Sequence, residues 1–180
     1  MGFGALTRVE IDQLDREVLK WIIYNYDPES STLNIRSRCY SVNDEDVKIA
    51  LGVPATSQTI ILHTKGTDGL KKYGHLFKII DGRIDIVTLV GSLKQCTSAG
   101  DEFKVMYLAL LFGTVLFPST QHNLPVHYLN PLVVIENIKE LNWAGLIRTT
   151  LNEGIRKWKN TEHAYIGGSL VFLQHLKGLS

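Results

Sequence analysis

A mainly apolar stretch at 103–117 is the segment around which the rest of the chain is predicted to pack. Between Val105 and Phe117 no residue carries a charge, and apolar side chains fall on every side of the predicted helix. A helix that is hydrophobic all round has to be enclosed by other elements. The stretch is shorter than the roughly 20 apolar residues of a membrane span, and Pro118 ends it. The pattern therefore predicts a buried central helix in a soluble protein.

Other segments place apolar residues at spacings of three and four, which is typical of helices with one buried face. They lie at 11–26, 70–80, 85–93, 143–158 and 170–176. A short helix is also predicted from 44 to 51, because an N-cap residue precedes three acidic residues there. The predicted N-caps are Asn43, Asp85, Ser98 and Asn142. Glycine at position 113 destabilises the central helix by about 1 kcal/mol relative to alanine. Its presence there predicts that another backbone approaches the helix closely at this position.

Short alternations of apolar and polar residues predict a small amount of sheet. The segment 33–42 suits a hairpin with its turn at Ser37 and Arg38, and a strand at 59–63 is predicted to join it. The predicted fold is therefore mainly α. It is a helical bundle around the buried central helix at about 103–117, with a small β-hairpin or minor sheet near 33–63. No linker or repeat divides the chain, so one domain over 1–180 is expected.

Composition and charge narrow the classes of function. The chain has 180 residues, of which 44% are hydrophobic and 21% charged, as in ordinary globular proteins. Lys and Arg number 19 against 18 Asp and Glu, so the basic excess of a typical nucleic-acid binder is missing. The amino terminus lacks the basic and apolar regions of a secretory signal. An intracellular protein, in the nucleus or the cytoplasm, is expected.

The residues that could carry chemistry are scattered. No histidine pairs with another ligand at metal-binding spacing, although His122 and His127 share one loop where a loose metal contact competes with ordinary loop roles. Cys39 and Cys96 lack a catalytic signature and are interpreted as free, inert thiols. The acidic residues at 44–46 are interpreted as stabilising the first turn of the predicted helix at 44–51. No catalytic, metal-binding or cofactor-binding residue is predicted.

Two short clusters combine cations with an aromatic side chain, as sites for single-stranded nucleic acid do. On amphipathic helices such clusters more often form a solvated face, so contact with nucleic acid is not favoured. The tryptophans at 21, 143 and 158 are interpreted as core or interface anchors. The residues of a possible interaction surface are Lys71, Lys72, Tyr73, Arg156, Lys157, Trp158 and Lys159.

Several motifs follow one another in a set order. They are GFGAL at 2–6, YDP at 26–28, DEDV at 44–47, LGVP at 51–54, the central segment with its proline at 103–118, NWA at 142–144 and GGSLVFL at 167–173. Their order and spacing resemble the plant mobile domain, also labelled aminotransferase-like, and related domains of plant transposon-derived proteins. The resemblance covers nearly the whole chain. Ser169 departs from it, since relatives often carry cysteine there, and this puts a thiol role at that position in doubt.

The resemblance implies a helical domain without a demonstrated activity. In such families the domain often accompanies a cysteine protease or a phosphatase domain, and some relatives act in the nucleus in transposon silencing. This chain has no room for an appended enzyme, so the resemblance implies a stand-alone domain or a piece of something longer.

The interpretation favoured by these observations is a non-enzymatic protein–protein interaction module, derived from that mobile-element-associated family. Its expected partner is another protein, which includes further copies of the chain, and neither a membrane nor a cofactor is involved. Two alternatives stay open: a nuclear chromatin or nucleic-acid-associated silencing factor, and a small selfish-element protein of the toxin or antidote type. A third alternative is an enzyme that uses Cys39 or Cys96 together with a histidine.

Overall fold

Helices and very short strands alternate along the chain in a computed structural model, which describes Phe3 and residues 16–63, 65–161 and 167–176. The helices are α1 (Arg16–Asn25), α2 (Asp44–Leu51), α3 (Asp68–Tyr73), α4 (Ile86–Gln95), α5 (Asp101–Leu111), α6 (Trp143–Thr161) and α7 (Leu170–Leu176). The strands are β1 (Tyr26–Asp27), β2 (Thr32–Ile35), β3 (Arg38–Ser41), β4 (Gln58–Thr59), β5 (Ile79–Ile80), β6 (Arg83–Asp85), β7 (Asn123–Pro125) and β8 (Leu141–Asn142). Turns of 3₁₀ helix occupy Gly74–Leu76, Val126–Leu132 and Ile135–Glu140, and a π-helical turn at Phe112–Leu116 continues α5.

The described residues divide into two compact units. Unit 1 comes from two separate parts of the chain, Met1–Thr59 and Glu140–Ser180, whereas unit 2 is the continuous segment Ile60–Lys139. That the whole chain is one domain stays a prediction.

The three-stranded sheet of unit 1 is antiparallel, with strand order β1–β2–β3. The β2–β3 hairpin pairs Ile35 with Arg38, so its two-residue turn consists of Arg36 and Ser37, one position earlier than predicted. Arg36 adopts a positive φ of 53°, as tight hairpin turns require. The strand that joins the hairpin is β1, not the predicted strand at 59–63. Gln58 and Thr59 pair instead with Leu141 and Asn142 of β8, in parallel.

Capping fixes the two helices that pack together in unit 1. Asn43 accepts hydrogen bonds from the backbone amides of Glu45 and Asp46, and Asp46 accepts one from the Asn43 amide, which completes a capping box. Asn142 accepts from the Gly145 amide at 2.9 Å and caps α6. Both predicted caps are confirmed. The acidic residues 44–46 lie in the first turn of α2, as the capping interpretation requires.

A chain of hydrogen bonds runs through the interior of unit 1. The Tyr26 hydroxyl donates to Asn152 Oδ1 at 2.6 Å, and Asn152 Nδ2 donates to Ser31 Oγ at 2.7 Å. Arg148 donates from Nη1 to the same hydroxyl oxygen at 3.1 Å and from Nε to Asp44 Oδ1 at 2.7 Å. Tyr26, Ser31 and Asn152 are all buried. We call these five residues the polar network; it ties α6 to β1, to the turn before β2 and to α2.

Unit 2 contains the central helix and a second three-stranded sheet, ordered β5–β6–β7. Asp81 and Gly82, with φ of 48° and 71°, form the two-residue turn that joins β5 to β6. Two consecutive residues with positive φ are typical of the type I′ turn, for which Asp-Gly is a preferred pair. Opposite each other on β6 and β7, Ile84 and Leu124 are fully buried.

The segment 103–117 is helical and largely buried within unit 2, although it is not enclosed on every side. Leu108, Phe112 and Leu116 have no exposed surface, whereas Thr114 is exposed and donates its hydroxyl to the Leu110 carbonyl. Its N-cap is Gly100 and not Ser98, which instead accepts from the Gly100 amide.

Gly113 is tightly enclosed, but by a side chain. An added Cβ would lie 2.4 Å from Cδ1 of Ile86, so the predicted close approach of a backbone is wrong. Asp85 does cap α4, as predicted, by accepting from the Thr88 amide.

The predicted fold class, a mainly α bundle around the helix at about 103–117 with a minor sheet near 33–63, is wrong. The described residues form a mixed α/β structure with three small sheets. The predicted helix at 70–80 ends at Leu76, and its last residues form β5. Strands of two or three residues are too short to show an alternating pattern, so periodicity does not predict them.

Two glycine substitutions in unit 2 are expected to act in opposite directions. A Cβ at Gly69 would lie 2.3 Å from the backbone carbon of Leu129, so Gly69→Ala should lower the free energy of unfolding by about 1–3 kcal/mol. Gly91 has no neighbour within 4 Å of an added Cβ, so Gly91→Ala should raise it by about 0.5–1 kcal/mol. Urea denaturation measures both; shifts of the same sign would contradict this packing.

Stability should fall in acid partly because of Asp44. Burial by itself raises the pKa of Asp44, but hydrogen bonds from Asn142 and Arg148, together with the charge of Arg148, outweigh burial and leave the pKa below its usual value. The charged form thus stabilises the fold above the unfolded pKa of about 3.9, and this contribution is lost as the pH falls through the lower, folded value.

The Tm of the Asp44→Asn variant is therefore expected to fall less between neutral pH and pH about 3 than the Tm of the wild type does. Glu45→Gln removes an exposed carboxylate from the same helical turn and controls for the change in net charge. Calorimetry across pH measures the difference; identical profiles for Asp44→Asn and the wild type would exclude this role.

Candidate functional site

Three aromatic side chains lie together on the surface of unit 1. Trp21 and Tyr24 are 43% and 67% exposed, and residues three apart on a helix are neighbours. The Tyr24 ring meets the half-buried Trp158 ring edge to face, with 5.4 Å between centroids. We call Trp21, Tyr24 and Trp158 the aromatic patch; it spans the exposed side of α1 and the last turns of α6.

The local sequence explains why these rings face outward. On α1 the buried side chains are Ile22 and Ile23, and Tyr26 follows the helix into the core. In the predicted helix at 11–26, the apolar residues at 18, 22 and 26 share one face, and positions 21 and 24 fall outside it. That offset is the sequence signal that Trp21 and Tyr24 point away from the core, although Trp21 is interpreted above as a core or interface anchor and Tyr24 is not among the predicted site residues. The part of the predicted helix at 11–15 lies outside the described residues.

Lysine and arginine side chains hold the two helices of the aromatic patch together. Lys159 Nζ donates to the carbonyl of Tyr26, the first residue of β1, at 2.6 Å. It also donates, at 3.5 Å, to the carbonyl of Tyr24 in the last turn of α1, where carbonyls lack helical partners. Arg156 Nε donates to the Glu29 carboxylate. This hydrogen bond, with the charge of Arg156, holds the pKa of Glu29 below its usual value despite some desolvation.

The predicted cluster at 156–159 therefore divides into structural and exposed groups. Arg156 and Lys159 are engaged inside unit 1, Lys157 is exposed, and Trp158 belongs to the aromatic patch. Near α1 the exposed Lys20 forms an ion pair with Glu17 at 2.9 Å. The surroundings of the rings thus carry both signs of charge.

The other predicted cluster lies in unit 2, on α3. Tyr73 is only 4% exposed and belongs to the core. Lys72 donates to the Val133 carbonyl at 2.7 Å and lies 5.0 Å from the centre of the Tyr73 ring. Lys71 is exposed, with Asp68 at 3.9 Å. A buried ring cannot stack with a base, so this cluster lacks the aromatic half of a nucleic-acid site.

Unit 2 also contains a cleft of about 400 Å³. It lies beside the β5–β6 turn and the start of α4, and its lining residues are Ile80, Asp81, Arg83, Asp85, Val87, Gln121, His122 and Asn123. Several of its polar groups have partners: Arg83 donates to Asn123 at 3.2 Å within the lining, whereas Asp85 accepts from Thr88 and pairs with Lys78 outside it.

The residues considered for metal or thiol chemistry do not converge in the described part of the chain, where no three His, Cys, Asp or Glu side chains are placed to hold a metal ion. His122 lines the cleft, whereas His127 stacks on Tyr128, and burial, with the nearby charge of Arg83, lowers the pKa of His127. Cys39 is exposed on β3, and Cys96 Sγ lies 3.4 Å from the Ser98 carbonyl. Among the described helices, none is long and apolar enough to cross a bilayer.

The site is thus an exposed group of aromatic rings on a hydrogen-bonded helical frame. The chain belongs to the family described as a domain of unknown function, DUF8566, which matches residues 1–174. No curated protein and no solved structure matches it. Nothing in the family match points to an enzymatic activity.

The resemblance to the plant mobile domain is wrong, because the family that matches nearly the whole chain is a different one. The motifs that suggested it have general physical causes. In LGVP, Gly52 is the C-cap of α2, with a φ of 65°. In NWA, Asn142 caps α6 and Trp143 is a fully buried core residue. Caps and core residues of this kind recur in unrelated helical proteins.

Fluorescence quenching should report the exposure of the aromatic patch directly. Trp143 is fully buried, Trp158 is half-buried and Trp21 is exposed. Acrylamide should therefore quench a distinct fraction of the wild-type emission, and Trp21→Phe should remove most of that fraction while Trp143→Phe leaves it in place. If quenching of Trp21→Phe equals that of the wild type, the indole of Trp21 is covered and the patch is not available for binding.

Proposed function

We propose that the protein is a non-enzymatic protein-interaction module whose partner docks on the aromatic patch. The observation that carries this proposal is the exposure of Trp21 and Tyr24 beside the ring of Trp158. Trp and Tyr dominate the binding energy of many protein interfaces, because they bury a large apolar area at a low cost in side-chain entropy. Such a group at the surface of a folded unit favours a protein partner that offers apolar side chains.

The rigidity of the frame supports the same function. Lys159 joins the end of α6 to the end of α1, and Arg156 reaches across to Glu29. Because both helices of the patch are fixed to each other, little conformational freedom remains to be lost when a partner binds. Preorganised aromatic anchors are what a contact surface needs for a useful affinity.

The alternative of a nucleic-acid-associated factor is less well supported. Stacked bases require exposed rings together with cations that are free to reach phosphates. Here Arg156 and Lys159 donate to groups of unit 1, and Lys20 is paired with Glu17. The overall charge is +1. The selfish-element alternative has no specific observation in its favour.

Affinity capture with matched variants tests the proposal. Wild-type protein, the double variant Trp21→Ala/Tyr24→Ala and the control Ile49→Ala are used as baits in a lysate of the source organism. Ile49 is 76% exposed on α2 of the same unit, so its truncation removes a similar exposed apolar group away from the patch. A genuine partner is captured by the wild type and by Ile49→Ala, and is lost with the double variant.

With the captured protein in purified form, truncation of both rings should weaken binding by about a thousandfold, since each anchor of this kind is worth roughly 2 kcal/mol. Titration calorimetry measures the affinities. A partner held equally well by all three baits would place the contact elsewhere. A mobility shift of single-stranded oligonucleotides that disappears with Trp21→Ala/Tyr24→Ala would favour the nucleic-acid alternative instead.

A further inference from the structure

The outer face of α4 in unit 2 is exposed, short of charge and unusually small in its side chains. Val87 and Val90 are 71% and 37% exposed. Gly91 is exposed as well, and Lys94 is the first charged residue of the helix. These four positions follow the spacing i, i+3, i+4 and i+7, so they share one face. Ile80 of β5, 51% exposed, borders the cleft at the start of this face together with Val87.

No contact within the described part of unit 2 explains why position 91 is a glycine. It lies in the middle of a ten-residue helix, where glycine costs about 1 kcal/mol relative to alanine. Its φ is not positive, and an added Cβ would meet nothing within 4 Å. By contrast, Gly69 and Gly113 are each in contact with atoms that would exclude a Cβ. An exposed helical glycine beside Val87 and Val90 leaves a notch at which another helix can approach closely.

We infer that this face binds the same face of a second copy of the chain, with the two α4 helices antiparallel. A two-fold axis between positions 90 and 91 places Val90 of each copy opposite Gly91 of the other, so that a branched side chain enters each notch. The same axis places Lys94 of each copy opposite Val87 of the other. An isologous contact of this kind requires a self-complementary surface, and the spacing on α4 provides one.

Charge complementarity supports the second copy as the occupant. Asp81 is exposed and lies on the border of the cleft that Val87 also lines. In the antiparallel arrangement Lys94 of one copy therefore extends toward Asp81 of the other. The two-fold axis gives the dimer two such pairs. In a parallel arrangement each Lys94 would instead lie beside its equivalent. Asp85 already accepts from Thr88 and pairs with Lys78, so Asp81 is the acid that remains accessible at this end of the cleft.

The expected dimer is weak. Ten residues of helix are about 15 Å long. One face of that length, with Ile80 added, buries less than the roughly 1,200 Å² of a stable interface. Self-association should therefore depend on concentration and should weaken when salt screens the attraction between Lys94 and Asp81.

Sedimentation velocity of the full chain from micromolar to millimolar concentration tests the inference. The wild type should shift from monomer toward dimer as the concentration rises. Two variants should each raise the dissociation constant by about tenfold or more. Val90→Asp would bury a charge against the second copy, and Lys94→Glu would replace the attraction to Asp81 with repulsion. Val134→Asp is the matched control, because Val134 is a 49% exposed valine of unit 2 outside α4, and it should associate like the wild type.

Gly91→Ala separates association from folding. The added methyl group should raise Tm by about 2–4 °C, since it favours the helix, yet it should weaken the dimer because it fills the notch that receives Val90. A label on Cys96, in a variant that also carries Cys39→Ser, reports the relative direction of the two α4 helices. Antiparallel helices keep the two labels of a dimer apart, whereas parallel helices bring them together.

A wild type that stays monomeric at millimolar concentration would overturn the inference. So would a dimer that Val90→Asp leaves intact, or adjacent labels at Cys96. Trp21→Ala/Tyr24→Ala should not affect this self-association, so failure here and failure of the aromatic patch are observed separately.

Discussion

The structure of unit 1 depends on the polar network more than on any single apolar contact. Ser31 is a buried residue with a positive φ of 53°, and its hydroxyl accepts from both Asn152 and Arg148. A buried amide, hydroxyl or phenol without a partner costs about 1–3 kcal/mol, so these groups must all find one another for the unit to form. Apolar packing alone would allow α6 to slide or rotate. The network permits one position for α6 relative to β1, β2 and α2, and that position places Trp158 against Tyr24.

The sequence predicted local structure best where one residue has a strong backbone preference. Asn43, Asp85 and Asn142 cap the helices as expected, since a short polar side chain before an amphipathic run has few other uses. The predicted helix at 70–80 ends just before Asp81 and Gly82, a pair that is also a strong hairpin signal. Periodicity favours the helix there because β5 contributes only two residues.

The candidate site could be predicted only in part. The cationic neighbours of Trp158 predict it as a site residue, yet two of those neighbours, Arg156 and Lys159, form hydrogen bonds within unit 1. The same pattern predicts Tyr73, which is a core residue. Whether a lysine beside an aromatic residue faces a ligand or a carbonyl depends on contacts between distant parts of the chain. Lys159 and Tyr26 are 133 residues apart, and no local pattern records that pairing.

The division of unit 1 between two distant parts of the chain has a consequence for its synthesis. Unit 2 is continuous, so all of its residues have been synthesised before Trp143 is added to the chain. The first part of unit 1 must wait for α6, which brings Arg148 and Asn152 to Ser31 and Tyr26. During that interval Ile22, Ile23 and Leu33 lack the helix against which unit 1 is completed, and unsatisfied apolar surface of this kind attracts chaperones or aggregates. The last third of the chain therefore limits when the aromatic patch first exists.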